Sequence, residues 1–269
     1  MGISNFRFVI LNSTILFIVA CILQMTLHEF GHFFAAIIVH ARGISVHHNY
    51  VDNIDEGLPL RSILLIKGAG PFVSLMIGIV FHLACSVQKN RNLIFLFKLY
   101  MSMFGYIGFF GYLTTTPIFA GGDTGYICAA LHFPLWLNIM IAVSGAILLY
   151  LIVSYLMEYY VEMATRKILE KRDTRFSFIH SILLLPVLYG IPFTTLLNLP
   201  VMVILSLIAP FFGPFTFLWG YGNALSKNYK LKSTNVNFEE LNKLNYVLIT
   251  LLIITIFYNR MLVKGIYYN

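Results

Sequence analysis

In the run Ile15-Leu16-Phe17-Ile18-Val19-Ala20-Cys21-Ile22-Leu23-Gln24-Met25-Thr26-Leu27-His28-Glu29-Phe30-Gly31-His32, a hydrocarbon segment passes directly into an H-E-x-x-H motif. From Phe8 to Val39 the only full charge is Glu29. The segment is longer than the ~20 residues a bilayer core requires, so it reads as a transmembrane helix that tilts or protrudes at one end. A carboxylate near the centre of such a helix costs about 2.5–3.5 kcal/mol on insertion scales, and an ionisable group kept there is a functional candidate. On a helix, His28 and His32 are separated by about 40° of rotation and project from one face. Two imidazoles so placed can occupy two corners of a tetrahedral zinc site, with Glu29 on the flank of that face to take a proton from an attacking water. The bland alternative makes the two histidines and the glutamate hydrogen-bond partners between helices. It leaves the carboxylate in hydrocarbon, where a bound cation would supply the missing opposite charge.

The rest of the chain extends this reading. Of 269 residues, 59% are hydrophobic and 11% charged, with a mean hydropathy of +0.81. A soluble domain carries roughly 25% charged residues. The chain is therefore expected to be an integral, multi-pass protein of the cell membrane, with the lipid bilayer as a partner. The net charge of +7 is assigned to loop Lys and Arg residues near anionic headgroups. Nucleic acid is not expected as a partner, because no basic stripe with interleaved exposed aromatics occurs. Cys21, Cys85 and Cys128 are far apart and form no CxxC pair. Arg7 before an apolar run also looks like a leader, and Ile18-Val19-Ala20-Cys21 loosely resembles a lipoprotein cleavage box. Cleavage there would remove most of the helix that carries His28, and the segment is read as retained.

Apolar runs and breakers predict an all-α polytopic fold of about six to seven transmembrane helices. The expected spans are residues 7–40, 62–87, 93–113, 135–160, 176–189, 193–219 and 246–261. The polar stretch 41–61 partly alternates apolar and polar residues from Gly43 to Val51, the pattern of a short strand or β-hairpin. Lys67-Gly68-Ala69-Gly70-Pro71 is expected to break or kink the second span, where protein or a watery cavity must surround it. Gly105, Gly108 and Gly111 read as a small-residue stripe for close helix packing. A break follows at Thr114-Thr115-Thr116-Pro117, then a turn through Ala120-Gly121-Gly122-Asp123-Thr124-Gly125. Pro186, Pro192, Pro200, Pro210 and Pro214 interrupt the fifth and sixth spans. With seven spans, Arg7, Lys89, Arg91, Arg166, Lys167, Lys171, Arg172, Arg175, Lys227, Lys230, Lys232 and Lys243 share one side. Only Arg42, Arg61, Arg260 and Lys264 lie on the other, which favours a cytoplasmic N-terminus. Residues 1–133 are taken as the catalytic transmembrane core and 134–269 as additional helices with two basic loops.

A catalytic zinc usually takes three protein ligands, and the third can be sought by elimination. Besides Glu29 the acids are Asp52, Asp55, Glu56, Asp123, Glu158, Glu162, Glu170, Asp173, Glu239 and Glu240. All but Asp123 fall in polar loops or at span ends. Gly121, Gly122 and Gly125 let the backbone turn sharply and deliver that carboxylate to a partner helix. The competing reading is an Asx turn or helix cap, since an apolar run follows from Tyr126 to Leu131. His47, His48, His82 and His132 are weaker ligand candidates, read as loop or helix-end residues.

His28-Glu29-Phe30-Gly31-His32, Ala69-Gly70-Pro71, and Pro117 followed by Asp123 occur in an order that resembles the site-2 protease family of intramembrane zinc metalloproteases. The resemblance covers about residues 16–131. It implies His28, His32 and Asp123 as ligands of one Zn2+ per chain, and Glu29 as the catalytic residue that activates water and then protonates the leaving amine. The implied function is a zinc metalloendopeptidase that cleaves transmembrane segments of other proteins, or remnant signal peptides, in intramembrane proteolysis. The chain departs from the family at Gly70-Pro71-Phe72-Val73-Ser74, where the family commonly has Asn after Gly-Pro. It departs again at Thr114-Thr115-Thr116-Pro117, in place of Asn-x-x-Pro, and Asp123 is followed by Thr124-Gly125 rather than directly by Gly. Ser74 and Thr114 are the residues expected to replace, in part, a lost amide that would hold substrate or an oxyanion. The family's site commonly faces the cytosol, whereas the charge count turns the C-terminal end of the first span toward the opposite face. Two rival classes use the same cluster: a metal-ion or proton transporter or channel, and a catalytically silent scaffold.

Overall fold

The computed structural model describes residues 3–201, 205–226 and 235–268. In chain order the elements are α1 (Arg7–Ile38), β1 (Arg42–Val46), β2 (Val51–Ile54), α2 (Leu60–Val87), β3 (Asn90–Arg91) and α3 (Leu93–Thr115). Next come α4 (Asp123–Ala130), α5 (Leu135–Val161), α6 (Arg166–Glu170), α7 (Arg172–Ile179), α8 (Leu185–Leu197) and α9 (Leu205–Phe212). The chain closes with α10 (Tyr221–Leu225), β4 (Asn235–Val236), α11 (Phe238–Leu241), α12 (Tyr246–Leu262) and β5 (Ile266–Tyr268). The fold is all-helical with a small sheet, as expected. Among the described residues, α1, α2, α3, α5 and the rod 172–197 are the five helices long and apolar enough to cross a membrane. That character is consistent with a membrane protein.

Helix α1 is the central post, buried among α2, α3, α8 and α12. Its core is aromatic: the Phe17 ring meets Phe104 at 5.0 Å and Tyr100 at 5.7 Å, both edge-to-face. Helices α2 and α3 approach closely because glycines face each other. A Cβ on Gly105 would stand 2.3 Å from the Gly78 amide nitrogen, and one on Gly108 would stand 2.5 Å from Gln24 Nε2. Gly111 meets only Ile107, at 3.9 Å, so two of the three stripe glycines serve the packing expected of them.

Helix α1 ends in a Schellman turn: Ala41 N–H donates to Ala36 and His40 N–H to Ile37, with His40 left-handed at φ 55°. Helix α4 ends the same way, with His132 at φ 53°. The hairpin expected in 41–61 forms as β1 and β2, and β5 adds to the other edge of β1, giving the order β2-β1-β5.

Three expectations are corrected. Lys67-Gly68-Ala69-Gly70-Pro71 does not break α2, which runs unbroken through Pro71. Proline removes one N–H donor, a loss transmembrane helices tolerate when neighbours pack around it. The fifth and sixth spans do not divide near residue 190. Pro186 and Pro192 lie inside α8, and the rod from 172 to 197 continues through a π-turn at His180–Leu184. There the Ile182 carbonyl, freed by the wider turn, accepts from Ser13 Oγ at 2.8 Å and Tyr100 Oη at 2.9 Å. The rod ends at Asn198, before Pro200, and α9 with a 3-10 stretch at Gly213–Gly220 replaces one long sixth span. The seventh span is α12, whose 17 residues fall short of the other five. Lys227, Lys230 and Lys232 of the second basic loop lie outside the described residues.

Candidate metal centre

Two helices meet at one point. Helix α1 brings His28 and His32, and α4 brings Asp123. His28 Nε2 and His32 Nε2 lie 3.1 Å apart, and they stand 3.1 and 3.2 Å from Asp123 Oδ2. A tetrahedral ion with bonds of about 2.0–2.1 Å has its donors about 3.3–3.4 Å apart, so this triangle is close to one face of such a site. Asp123 is the first residue of α4 and makes no capping bond. The N-cap is Gly122, and the carboxylate faces the two imidazoles. Asp123 thus contacts both imidazoles and makes none of the capping bonds of the competing reading.

Proton bookkeeping sharpens the case. His32 Nδ1 lies 2.7 Å from the Ile66 carbonyl, which only accepts, so Nδ1 carries the proton and Nε2 presents a lone pair to the centre. Ser74 Oγ accepts from Gln24 Nε2 at 2.8 Å and donates to the Gly70 carbonyl at 3.2 Å. Its remaining lone pair suits a proton on His28 Nδ1, 2.9 Å away. His28 Nε2 then also turns a lone pair inward. Two imidazole lone pairs and a carboxylate oxygen therefore face one another across about 3 Å, an arrangement a cation relieves. The cluster His28, His32 and Asp123 can hold a metal ion.

Helix α2 is the mount. Ile66, Gly70 and Ser74 recur every four residues on one stripe. Ile66 grips His32, Ser74 grips His28, and between them Gly70 leaves room for both rings: a Cβ there would lie 2.2 Å from His32 Nε2 and 2.7 Å from His28 Nε2. Gly31 lets α1 settle on this stripe, since its Cβ would meet the Ala69 carbonyl oxygen at 2.8 Å. The Gly70-Pro71 cluster was visible in the sequence, but as a backbone breaker; what it supplies is space. Helix α3 supports the other side. The Tyr112 ring stacks on His28 with centroids 5.1 Å apart and planes 12° from parallel. The Tyr112 carbonyl accepts from Thr124 Oγ1 at 2.7 Å and from Thr116 Oγ1 at 3.2 Å, which ties the start of α4 to the end of α3. None of Ile66, Gln24, Tyr112 or Thr124 carried a sequence signal.

A cavity of about 380 Å³ opens beside His28 and Glu29. Tyr112 and Thr114 of α3 line it, with Pro210, Gly213 and Trp219 closing it from the far half of the chain. Glu29 is half-buried and has no hydrogen bond or ion pair among the described residues. The residues expected to contact substrate are placed differently. Ser74 is fully buried behind His28 and orients it. Thr114 is on the cavity wall, but its hydroxyl donates to the Gly111 carbonyl at 2.6 Å.

The weaker ligand candidates lie elsewhere. His132 closes α4, His82 pairs with Tyr106 Oη at 3.0 Å, and His47 stacks on Tyr50 at 4.3 Å. His48 donates through Nε2 to the Asn198 carbonyl at 3.0 Å. No family model matches the chain, and searches of curated proteins and of solved structures each return no match.

Proposed function

We propose that the chain is an intramembrane zinc metalloendopeptidase, with His28, His32 and Asp123 holding one Zn2+ and Glu29 moving the proton. The observation that carries this reading is the position of Glu29. It follows the donor His28 in the chain, lines the cavity beside it, and has no hydrogen bond or ion pair among the described residues to explain its presence in a hydrophobic helix. The bound ion would supply Lewis acidity toward the scissile carbonyl and the attacking water. The chain's own residues do the rest. Glu29 takes the water proton and later delivers it to the leaving nitrogen. The stacked Tyr112 ring and the Ser74 and Ile66 contacts keep the two imidazoles in one orientation.

The substrate class proposed is a transmembrane segment, or a remnant signal peptide, that has unwound enough to free a carbonyl from its helical hydrogen bond. Among the described residues β2 pairs only with β1, so its outer edge can receive an extended stretch of such a substrate as an added strand. The test uses purified full-length protein in detergent or lipid. One zinc per chain should survive purification, which a permeation site that exchanges its ion would not allow. Glu29→Gln should keep that zinc and lose cleavage of a model transmembrane peptide by at least about 100-fold. Undiminished turnover in that variant would sink the mechanism.

A further inference from the structure

We propose that Tyr112 is a catalytic residue, whose phenol O–H stabilises the negative charge that develops on the scissile carbonyl oxygen. This rests on the peptidase reading above and names a group that reading lacks.

The hydroxyls around the cavity are mostly spent. Thr114, Thr115 and Thr216 donate to the carbonyls of Gly111, Tyr112 and Gly213, at 2.6, 3.0 and 2.7 Å. Ser74, the other expected replacement for a substrate-holding amide, is shut behind His28. Tyr112 is different. It lines the cavity beside His28 and Glu29, and its phenol oxygen has no hydrogen-bond partner among the described residues. The phenol oxygen is not among the fully buried unpartnered atoms, so it keeps some exposed surface on a residue that lines the cavity.

The residue is also held at both ends. Its ring lies flat on a metal-ligand imidazole, and its carbonyl is fixed by three threonine hydroxyls, those of Thr115, Thr116 and Thr124. A donor immobilised before substrate arrives, in an apolar space, is the arrangement that favours charge developing in the transition state. In the step proposed, water oxygen bonds to the carbonyl carbon while Glu29 takes the water proton. The carbonyl π pair moves onto its oxygen, which accepts a hydrogen bond from Tyr112. The pair then returns, the C–N bond breaks, and Glu29 gives its proton to the departing nitrogen. Tyr112 keeps its own proton throughout.

The test compares wild type, Glu29→Gln, Tyr112→Phe and Tyr112→Leu as full-length proteins. Four quantities are measured: zinc per chain, kcat and KM on a model transmembrane peptide, and binding of that peptide and of its phosphinic analogue. The phosphinate carries a tetrahedral anionic centre and is not cleaved. Tyr112→Phe preserves the stacking and removes only the hydroxyl. It should keep zinc and KM, lose about 100- to 1,000-fold in kcat, and lose phosphinate affinity by a similar factor. Binding of the uncleaved peptide to a Glu29→Gln/Tyr112→Phe double variant should match that to Glu29→Gln alone. Tyr112→Leu removes the ring as well and should also retain less zinc. Wild-type kcat and wild-type phosphinate affinity in Tyr112→Phe would overturn the proposal. So would loss of zinc in that variant, which would make Tyr112 a support for His28 alone. If wild type cleaves nothing, or Glu29→Gln cleaves as well as wild type, the peptidase reading itself falls.

Discussion

Gly70→Ala adds one methyl group and should empty the metal centre. The built Cβ lies 2.2 Å from His32 Nε2, about 1.2 Å inside the 3.4 Å at which ordinary contact begins. It lies 2.7 Å from His28 Nε2, about 0.7 Å inside the same limit. Neither ring can swing away cheaply. His32 is tied to the Ile66 carbonyl and His28 to Ser74, and both anchors sit on α2, the helix that carries the new methyl. Relief therefore means breaking an anchor or displacing a donor. Metal sites hold donor distances to about 0.2 Å, so a shift of 0.7–1.2 Å removes a donor in effect. Loss of an outer-shell contact alone costs 10- to 100-fold in metal affinity. A displaced donor should reach at least the upper figure, about 2.7 kcal/mol. The assay is zinc per chain after purification, with chelator competition to rank affinities. Gly68→Ala is the control on the same helix, because its Cβ would meet only Ile127 Cδ1 at 3.8 Å. That variant should keep its zinc and gain a little helix stability. Wild-type zinc affinity in Gly70→Ala, with α2 intact, would refute the claim that α2 mounts the two imidazoles.

Further outcomes follow from the same contacts. Ser74→Ala leaves Gln24 Nε2 and His28 Nδ1 without their shared partner, and should lower zinc affinity 10- to 100-fold by chelator competition while the protein stays folded. The buried Arg91–Glu162 pair, at 2.5 Å, ties β3 to the end of α5. Arg91→Ala should cost about 3–5 kcal/mol in detergent unfolding, and Arg91→Met with Glu162→Leu markedly less, because the single change strands a buried charge. His48 is held neutral by burial, opposed in part by its bond to the Asn198 carbonyl, with Arg260 and His47 adding to the lowering. The unfolded chain takes a proton near pH 6.5 while the folded one resists it. The His48 contribution is therefore present above about pH 6.5 and lost as pH falls below it. His48→Gln should flatten the decline in melting temperature between pH 7 and 5; an unchanged slope would remove His48 as its source.

The parts of this structure that could be read from residue order were those written in side chains. Glu29, His28 and His32 announce themselves because ionisable groups are out of place in hydrocarbon. Asp123 stood out because the other acids lie in polar surroundings, and α4 indeed delivers its carboxylate to the two imidazoles. The mount on α2 was illegible for the opposite reason. Ile66 contributes a backbone carbonyl and Gly70 contributes the absence of a side chain, and neither function leaves a chemical signature. Prolines misled in two places. Pro71 and Pro192 sit within continuous helices, because neighbouring helices hold the backbone together where a soluble helix would part. The partner of β1 at the far end of the chain, β5, was equally silent, since so short a strand has no periodicity to detect. The same blindness applies to the cavity. Its far wall, from Ser206 to Trp219, lies beyond the stretch 16–131 that carries the resemblance, and three of its seven lining residues, Pro210, Gly213 and Pro214, are Gly or Pro. Backbone shape sets that wall more than side-chain chemistry does. If substrate preference is set there, exchanging residues 205–220 should change which peptides are cleaved and leave zinc affinity at His28, His32 and Asp123 untouched.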